Sequence, residues 1–336
     1  MTLTRPSFPV ERIAREIVTA PDDVVFVSGS LVEGFGNENS DLDLFLVRAE
    51  GERTDDPRLV LSTVGFEGSY VDYEVYNQAN MSAISARING TDVANLRSVW
   101  EIPLDRLDLY YRTAIAEAGY NAEGLRALQR DFDREVAARV LAVWTALRSV
   151  CKLQEAGESL EAGFAAQALV SAQAAAAYAA DSHLATQGEA YPNLKWRYEK
   201  IERRFGKGSA LFRRLWALKS PGGRGVTDYM DDVRAFCDEM GVTRYDWGAD
   251  SLLLSQAREV RLFPVGSRRL LVQNKTLLFE LNPMAAFVWK TLRLPLTRPQ
   301  LVARVANSWR LSDDKARWEV DALLRTWRRY RLVRET

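Results

Sequence analysis

Apolar side chains at Val10, Ile13, Ile17 and Val18 recur with a helical spacing, so residues 9–20 are expected to form a helix with one buried face. Two short, nearly continuous apolar runs follow at 24–28 and 42–47, rich in Val, Phe and Leu, and read as buried strands. At 70–76 acidic positions alternate with apolar ones, which predicts a strand carrying Asp72 and Glu74 on one face. The front of the chain is therefore expected to be α/β. From about Leu104 to Val242 the pattern turns helical, with an alanine-rich run at Ala162–Ala180 of strong helix propensity. Gly188 and Pro192 punctuate this run, and Pro192 with Asn193 opens a further helix through 205. Residues 220–225 read as a loop, and the helix after it is expected to cap at Gly241. Beyond about Ser255 come two or three short strands, then helices at Pro283–Leu292, Arg298–Trp309 and Asp313–Tyr330. No internal repeat interrupts this order.

Composition narrows the class. Hydrophobic residues make up 47% of the 336, enough for real cores. No apolar run approaches the ~18–20 residues that span a bilayer, and the first residues lack the pattern of a secretory signal. Cys151 and Cys237 both sit in helix-like contexts, which predicts two reduced thiols and a cytoplasmic setting. There is no Cys/His cluster for zinc. His183, the single histidine, lies in the alanine-rich helix without a partner nearby in sequence and reads as structural.

Charge changes the picture more. Residues 1–120 hold 10 Arg and no Lys against 20 Asp+Glu, a net of −10, whereas residues 257–336 hold 17 Lys+Arg against 7 Asp+Glu, a net of +10. Such asymmetry suggests a metal or cationic ligand at the front and an anionic partner at the back, or else two ends that attract each other and pack.

The densest chemistry lies in Val24–Val47. An apolar run ends in Gly29-Ser30, and Asp41-Leu42-Asp43 heads the next. In a strand, Asp41 and Asp43 share a face. Two carboxylates held so close are costly unless a cation lies between them or one is protonated. Hard oxygen ligands at this spacing suit Mg²⁺, which takes a few carboxylates plus substrate phosphates. Gly29 allows close backbone approach, and Ser30 offers a hydroxyl and an N–H to phosphate. A third carboxylate, Asp72 or Glu74, would complete a two-metal site.

Gly29-Ser30, Asp41-Leu42-Asp43 and Val71-Asp72-Tyr73, with Gly34 and Ser40 between, resemble the DNA polymerase β-like nucleotidyltransferase superfamily over residues 10–100. The resemblance implies transfer of a nucleoside monophosphate from an NTP, with two Mg²⁺ ions as cofactor. It gives Ser30 to the triphosphate, with Gly29 and Ser40 beside it, and Asp41, Asp43 and Asp72 to metal. Asp72 would assist deprotonation of the acceptor, and Glu74 fits the same pattern. The stretch Tyr191–Arg204 after the alanine-rich helix is similar to the helical domain of kanamycin-type nucleotidyltransferases, which implies that Lys195 reaches the triphosphate.

The basic end is different. Leu281-Asn282, Ala285-Ala286 and Val288-Trp289, followed by 296–305 and 319–333, resemble the PQQ-synthesis protein D-like recognition element of ribosomal peptide modification systems. Leu294-Pro295 departs from that family, which usually has a glycine there. The resemblance implies a winged-helix-like unit to which a leader peptide adds a strand, with a groove against the last helix. The basic stretch Arg325–Arg331 would favour an acidic peptide. A winged helix carrying Arg328, Arg329 and Arg331 on phosphates, or a purely structural cap, are the rival readings.

The expected architecture is α+β in three parts: a mixed-sheet nucleotidyltransferase domain at 1–100, a helical bundle lining the cleft at 101–250, and the winged-helix-like domain at 256–336. The expected activity is Mg²⁺-dependent nucleotidyl transfer from ATP or CTP to a ribosomally made peptide, with neither membrane nor nucleic acid as partner. The alternatives are a small-molecule, antibiotic-type enzyme with a structural C-terminal unit, and a binding module with a vestigial site.

Overall fold

The computed structural model describes residues 9–37, 40–54, 56–66, 69–245, 253–257, 259–273 and 276–335. The chain divides into two compact units, Met1–Asp246 and Trp247–Thr336. Of the expected boundary at 250–256, residues 250–252 lie outside the described residues and 253–256 belong to the second unit.

The first unit opens with α1 (Val10–Ile17), β1 (Val24–Ser28), the single turn α2 (Ser30–Glu33), β2 (Asp43–Arg48), β3 (Val60–Phe66) and β4 (Ser69–Asn77). Next come α3 (Gln78–Asn89), α4 (Leu96–Trp100), α5 (Leu104–Ile115), β5 (Glu117–Tyr120) and α6 (Ala122–Gln129). The five strands form one mixed sheet in the order β3-β4-β2-β1-β5, with only the β2–β4 pair parallel. Strand alternation gives this sheet two chemically distinct faces. Val25, Val27, Leu44, Leu46 and Val75 bury against Ile13, Ala14 and Ile17 of α1. The other face carries Phe26, Phe45 and Tyr76, stacked across three strands at centroid distances of 4.9 and 6.4 Å. Asp23 ties the α1–β1 turn down: its carboxylate accepts from Thr19 N, Thr19 Oγ1 and Ala20 N at 2.8–2.9 Å.

Two sequence expectations change here. The region from Leu104 is not wholly helical, because β5 pairs with β1 and closes the sheet. A four-residue Glu-Ala-Gly-Tyr strand has no β-branched residue, and non-local pairing rather than propensity makes it a strand. The sheet therefore takes a strand from beyond residue 100. Nor does β2 extend back to Asp41. Its ladder with β1 ends at the Ser28–Asp43 pair, since the chain leaves β1 at Gly29, so Asp41 precedes the strand and is exposed.

The unit continues with α7 (Arg134–Glu161), α8 (Ala165–Thr186), α9 (Arg197–Phe205), α10 (Ala210–Ala217) and α11 (Val226–Glu239). The alanine-rich run does form a helix, and Ala168, Ala172, Ala175, Ala176, Ala179 and Ala180 are buried in its core. A 3-10 turn at Leu194–Trp196, capped by the Asn193 side chain, precedes α9. Gly241 follows α11 with φ +72°, the left-handed conformation that glycine supplies at a helix end. Cys237 is buried and Cys151 half-buried. His183 stacks on Phe205 at 5.7 Å, and burial lowers its pKa.

The second unit contains β6 (Leu253–Gln256), β7 (Val260–Val265), β8 (Arg268–Gln273), β9 (Thr276–Glu280), α12 (Pro283–Thr291), β10 (Leu296–Thr297), α13 (Arg298–Trp309), α14 (Asp313–Arg329) and β11 (Val333–Glu335). β7, β8 and β9 form an antiparallel meander, and β6 lies between β10 and β11. Asn282, Thr297 and Ser312 cap the three helices, and Thr297 with Gln300 completes a capping box. Trp289 and Trp327 meet edge to face at 5.4 Å in the core.

Candidate active site

The site grows from one turn. β1 ends at Ser28, Gly29 takes φ +82°, and α2 begins at Ser30. A Cβ at position 29 would lie 1.9 Å from Oδ2 of Asp43 and 3.1 Å from Nη1 of Arg112. Only glycine fits, on steric and on conformational grounds. Asp43 heads β2 on the Phe45 face of the sheet. On β4, Glu74 stands opposite Phe45 and points to the same face. Together they line a cleft of about 300 Å³.

The far wall is α5. Asp105, Asp108, Leu109 and Arg112 recur on one side of this helix and all line the cleft. Arg112 reaches Asp43 Oδ2 at 3.1 Å and donates through Nε to Asp108 Oδ2 at 2.6 Å. It also lies over the rings of Phe45 and Tyr191, 5.8 and 5.9 Å from their centroids. Burial opposes the guanidinium charge, but the carboxylates of Asp108 and Asp43 outweigh it and raise the Arg112 pKa. Asp108 moves upward as well. Burial is the main cause, Arg112 works against it, and Oδ1 of Asp108 is buried without a hydrogen-bond partner. Glu74 accepts from the Tyr76 hydroxyl at 2.5 Å and faces Arg58 at 3.8 Å. Five carboxylates and three arginines line the cleft, a surplus of two negative charges that suits a divalent cation.

Of the residues named from sequence, Gly29, Asp43 and Glu74 converge here, and Ser30 lies buried at the start of α2. The others stand apart from the cleft wall. Asp41 is exposed before the strand. Ser40 closes a turn with Asn37, whose N–H donates to its hydroxyl at 2.9 Å. Asp72 is exposed and accepts from Thr63 Oγ1 at 2.7 Å, toward the sheet edge. Lys195 is exposed, with its ammonium over the Trp196 ring at 5.1 Å. Among the described residues no three His, Cys, Asp or Glu side chains gather closely enough to hold a metal by themselves. Sequence reasoning missed Asp108 and Arg112, although their spacing with Asp105 marks a polar stripe on a helix.

Comparison with known proteins adds two findings. Residues 270–333 match the family of coenzyme PQQ synthesis protein D (PqqD). The second unit carries a PqqD-like segment. That segment covers β9 and α12 to α14, the stretch singled out by its Leu-Asn and Val-Trp positions. A crystal structure of a nucleotidyltransferase-like protein from Exiguobacterium sibiricum 255-15 is similar with a TM-score of 0.42 and 11% identity, covering 70% of this chain and 74% of that one. No curated protein sequence matches the chain. Among the described residues no helix is long and apolar enough to cross a membrane.

Proposed function

We propose that the cleft is the site of a Mg²⁺-dependent nucleotidyltransferase, and that the PqqD-like segment brings it a ribosomally made peptide as acceptor. One observation carries the reading: the Gly29-Ser30 turn is pressed against Asp43 so closely that no side chain fits at 29. A turn suited to phosphate and a carboxylate suited to metal thus share one point. Mg²⁺ needs only one or two protein carboxylates when phosphate oxygens complete its shell, so Asp43 and Glu74 are a fitting donor set, and Asp41, two residues before the strand and outside the cleft wall, is a further candidate. Bound there, two such ions would hold the triphosphate and activate the acceptor oxygen. The backbone at Gly29 and the Ser30 hydroxyl bind the triphosphate of ATP or CTP. Glu74, rather than Asp72, takes the acceptor proton, because Glu74 lines the same cleft as Asp43. Arg112 holds Asp43 in place on its strand.

On the second unit, β9 is an edge of the meander, and Phe279 meets Tyr330 at the end of α14 at 4.9 Å. An extended peptide added to β9 would lie beside the last helix, whose Arg325 and Arg328 favour acidic side chains.

The test is to incubate the protein with each labelled NTP and its presumed precursor peptide. Pyrophosphate release and label transfer are expected, and both are lost in Asp41→Asn/Asp43→Asn. Release that persists in the double variant would refute the site. The cleft volume, about 300 Å³, also accommodates a small-molecule acceptor, which is the second reading. Turnover of a small molecule that survives removal of residues 256–336, without peptide binding by the intact protein, would select it.

A further inference from the structure

α2 is one turn, beginning at Ser30 and ending at Glu33. Its loop is closed by backbone bonds from Glu33 N to Gly29 O, and from Phe35 N and Gly36 N to Ser30 O, at 2.8–3.0 Å. Whatever grips Glu33 therefore sets where Ser30 lies. The Glu33 side chain is only 4% exposed. It accepts from Arg203 Nη2 at 2.7 Å and from the Tyr111 hydroxyl at 2.9 Å, while Arg203 Nη1 donates to the Glu33 carbonyl oxygen at 2.9 Å. Arg203 is itself gripped by Glu189, which accepts from Nε at 3.0 Å through each carboxylate oxygen and from Nη2 as well.

The same segment touches the other half of the site. The Arg203 guanidinium lies 4.2 Å from the Phe35 ring centroid, and Phe35 stacks on Trp196 and Tyr191 at 5.5 and 6.2 Å. Tyr191 in turn lies under Arg112, the partner of Asp43. Residues 189–203 thus form a strap that reaches the Gly29-Ser30 turn through Glu33 and Phe35, and Asp43 through Tyr191 and Arg112. Burying Glu33 and Glu189 side by side needs a cation with donors pointing both ways. A guanidinium fork supplies that geometry and an ammonium does not.

We infer that Arg203 is a positioning residue for nucleotide binding: it sets the Gly29-Ser30 turn against Asp43, and so rests on the nucleotidyltransferase reading. The test uses the full chain with Arg203→Met and Arg203→Lys. Mg·ATP and Mg·CTP affinities are measured by calorimetry, and hydrogen exchange is followed at the amides of Glu33, Phe35 and Gly36. For the nucleotide that the wild type binds, Arg203→Met is expected to weaken affinity by about 10- to 100-fold, the penalty of a displacement near 1 Å. Those three amides should exchange faster while α7 keeps its protection, and Arg203→Lys should lie between the two. Wild-type affinity and exchange in Arg203→Met, with a nucleotide bound, would overturn the role of Arg203 alone. A wild type that binds neither nucleotide would overturn the nucleotidyltransferase reading and this role with it.

Discussion

The Cα of Gly29 faces the carboxylate of Asp43 so directly that one added methyl group would fall 1.9 Å from Oδ2. Gly34, five residues on, also has a positive φ (+90°), but its ψ of +12° is left-handed helical where Gly29 has ψ −154°, and nothing lies within 4 Å of an added Cβ. Gly29 therefore carries a steric clash and a glycine-only backbone, and Gly34 only the milder left-handed strain. Gly29→Ala is expected to lose about 2–4 kcal/mol and all nucleotide binding, and Gly34→Ala only about 1–2 kcal/mol. Urea denaturation and nucleotide titration of the two variants check this.

Glu74 and Asp72 share a strand face, yet only Glu74 lines the cleft. Glu74→Gln should slow pyrophosphate release by about 10²- to 10⁴-fold, as expected for a lost proton acceptor. Asp72→Asn, which disturbs a contact with Thr63, should cost about tenfold or less. The reverse ranking would return the third carboxylate to Asp72.

Arg112 keeps Asp43 and Asp108 from facing each other uncompensated. Burial raises the Asp108 pKa above its unfolded value of 3.8. Asp108 therefore supports the fold while protonated, and that support fades as pH rises through its folded value. Arg112→Met removes the opposing cation and raises this value further. The variant should unfold about 2–4 kcal/mol more easily near pH 7–8, and with a smaller deficit near pH 4–5. Melting curves across that range would show it. A deficit independent of pH would assign the loss to packing against Phe45 and Tyr191.

Asp23 shows the opposite sign. Burial alone would raise its pKa, but hydrogen bonds from Thr19, Ala20 and Ala49 prevail and lower it. Its contribution is present above pH 3.8 and is lost as pH falls through the lower folded value. Asp23→Ala should cost about 2–4 kcal/mol at pH 7, because three donors near the α1–β1 turn lose their acceptor. At sufficiently acid pH the gap between variant and wild type should narrow.

Local signals account for what was legible beforehand. β1 and β2 announced themselves as apolar runs and β4 by its alternation, and the three helices of the PqqD-like segment were legible at 283–292, 298–309 and 313–330. β3 escaped notice because it is an edge strand. Leu61 and Val60 are 59% and 46% exposed, and Ser62, Thr63 and Gly65 dilute the alternation. β5 escaped because only its partner makes it a strand. At the site, period-two spacing found Asp43 and Glu74. It also placed Asp41 on a strand that ends before reaching it, since where a ladder stops depends on where its neighbour turns away. Lys195 lies over the Trp196 ring, which stacks on Phe35, an arrangement that residue spacing does not reveal. Arg112 needed knowledge of which helix closes the cleft.

β5 has a consequence for how the chain can be divided. The helix that supplies Asp108 and Arg112 is bracketed by strands of the same sheet, β4 before it and β5 after it. A fragment ending at residue 100 would keep the Gly29-Ser30, Asp41-Leu42-Asp43 and Val71-Asp72-Tyr73 motifs and lose the wall opposite them. Extending it through Tyr120 restores the wall, and only at Arg203 does it regain the strap over the Gly29-Ser30 turn. The motifs are therefore not portable: transplanted alone into another protein, they would carry the signature of the site without the site.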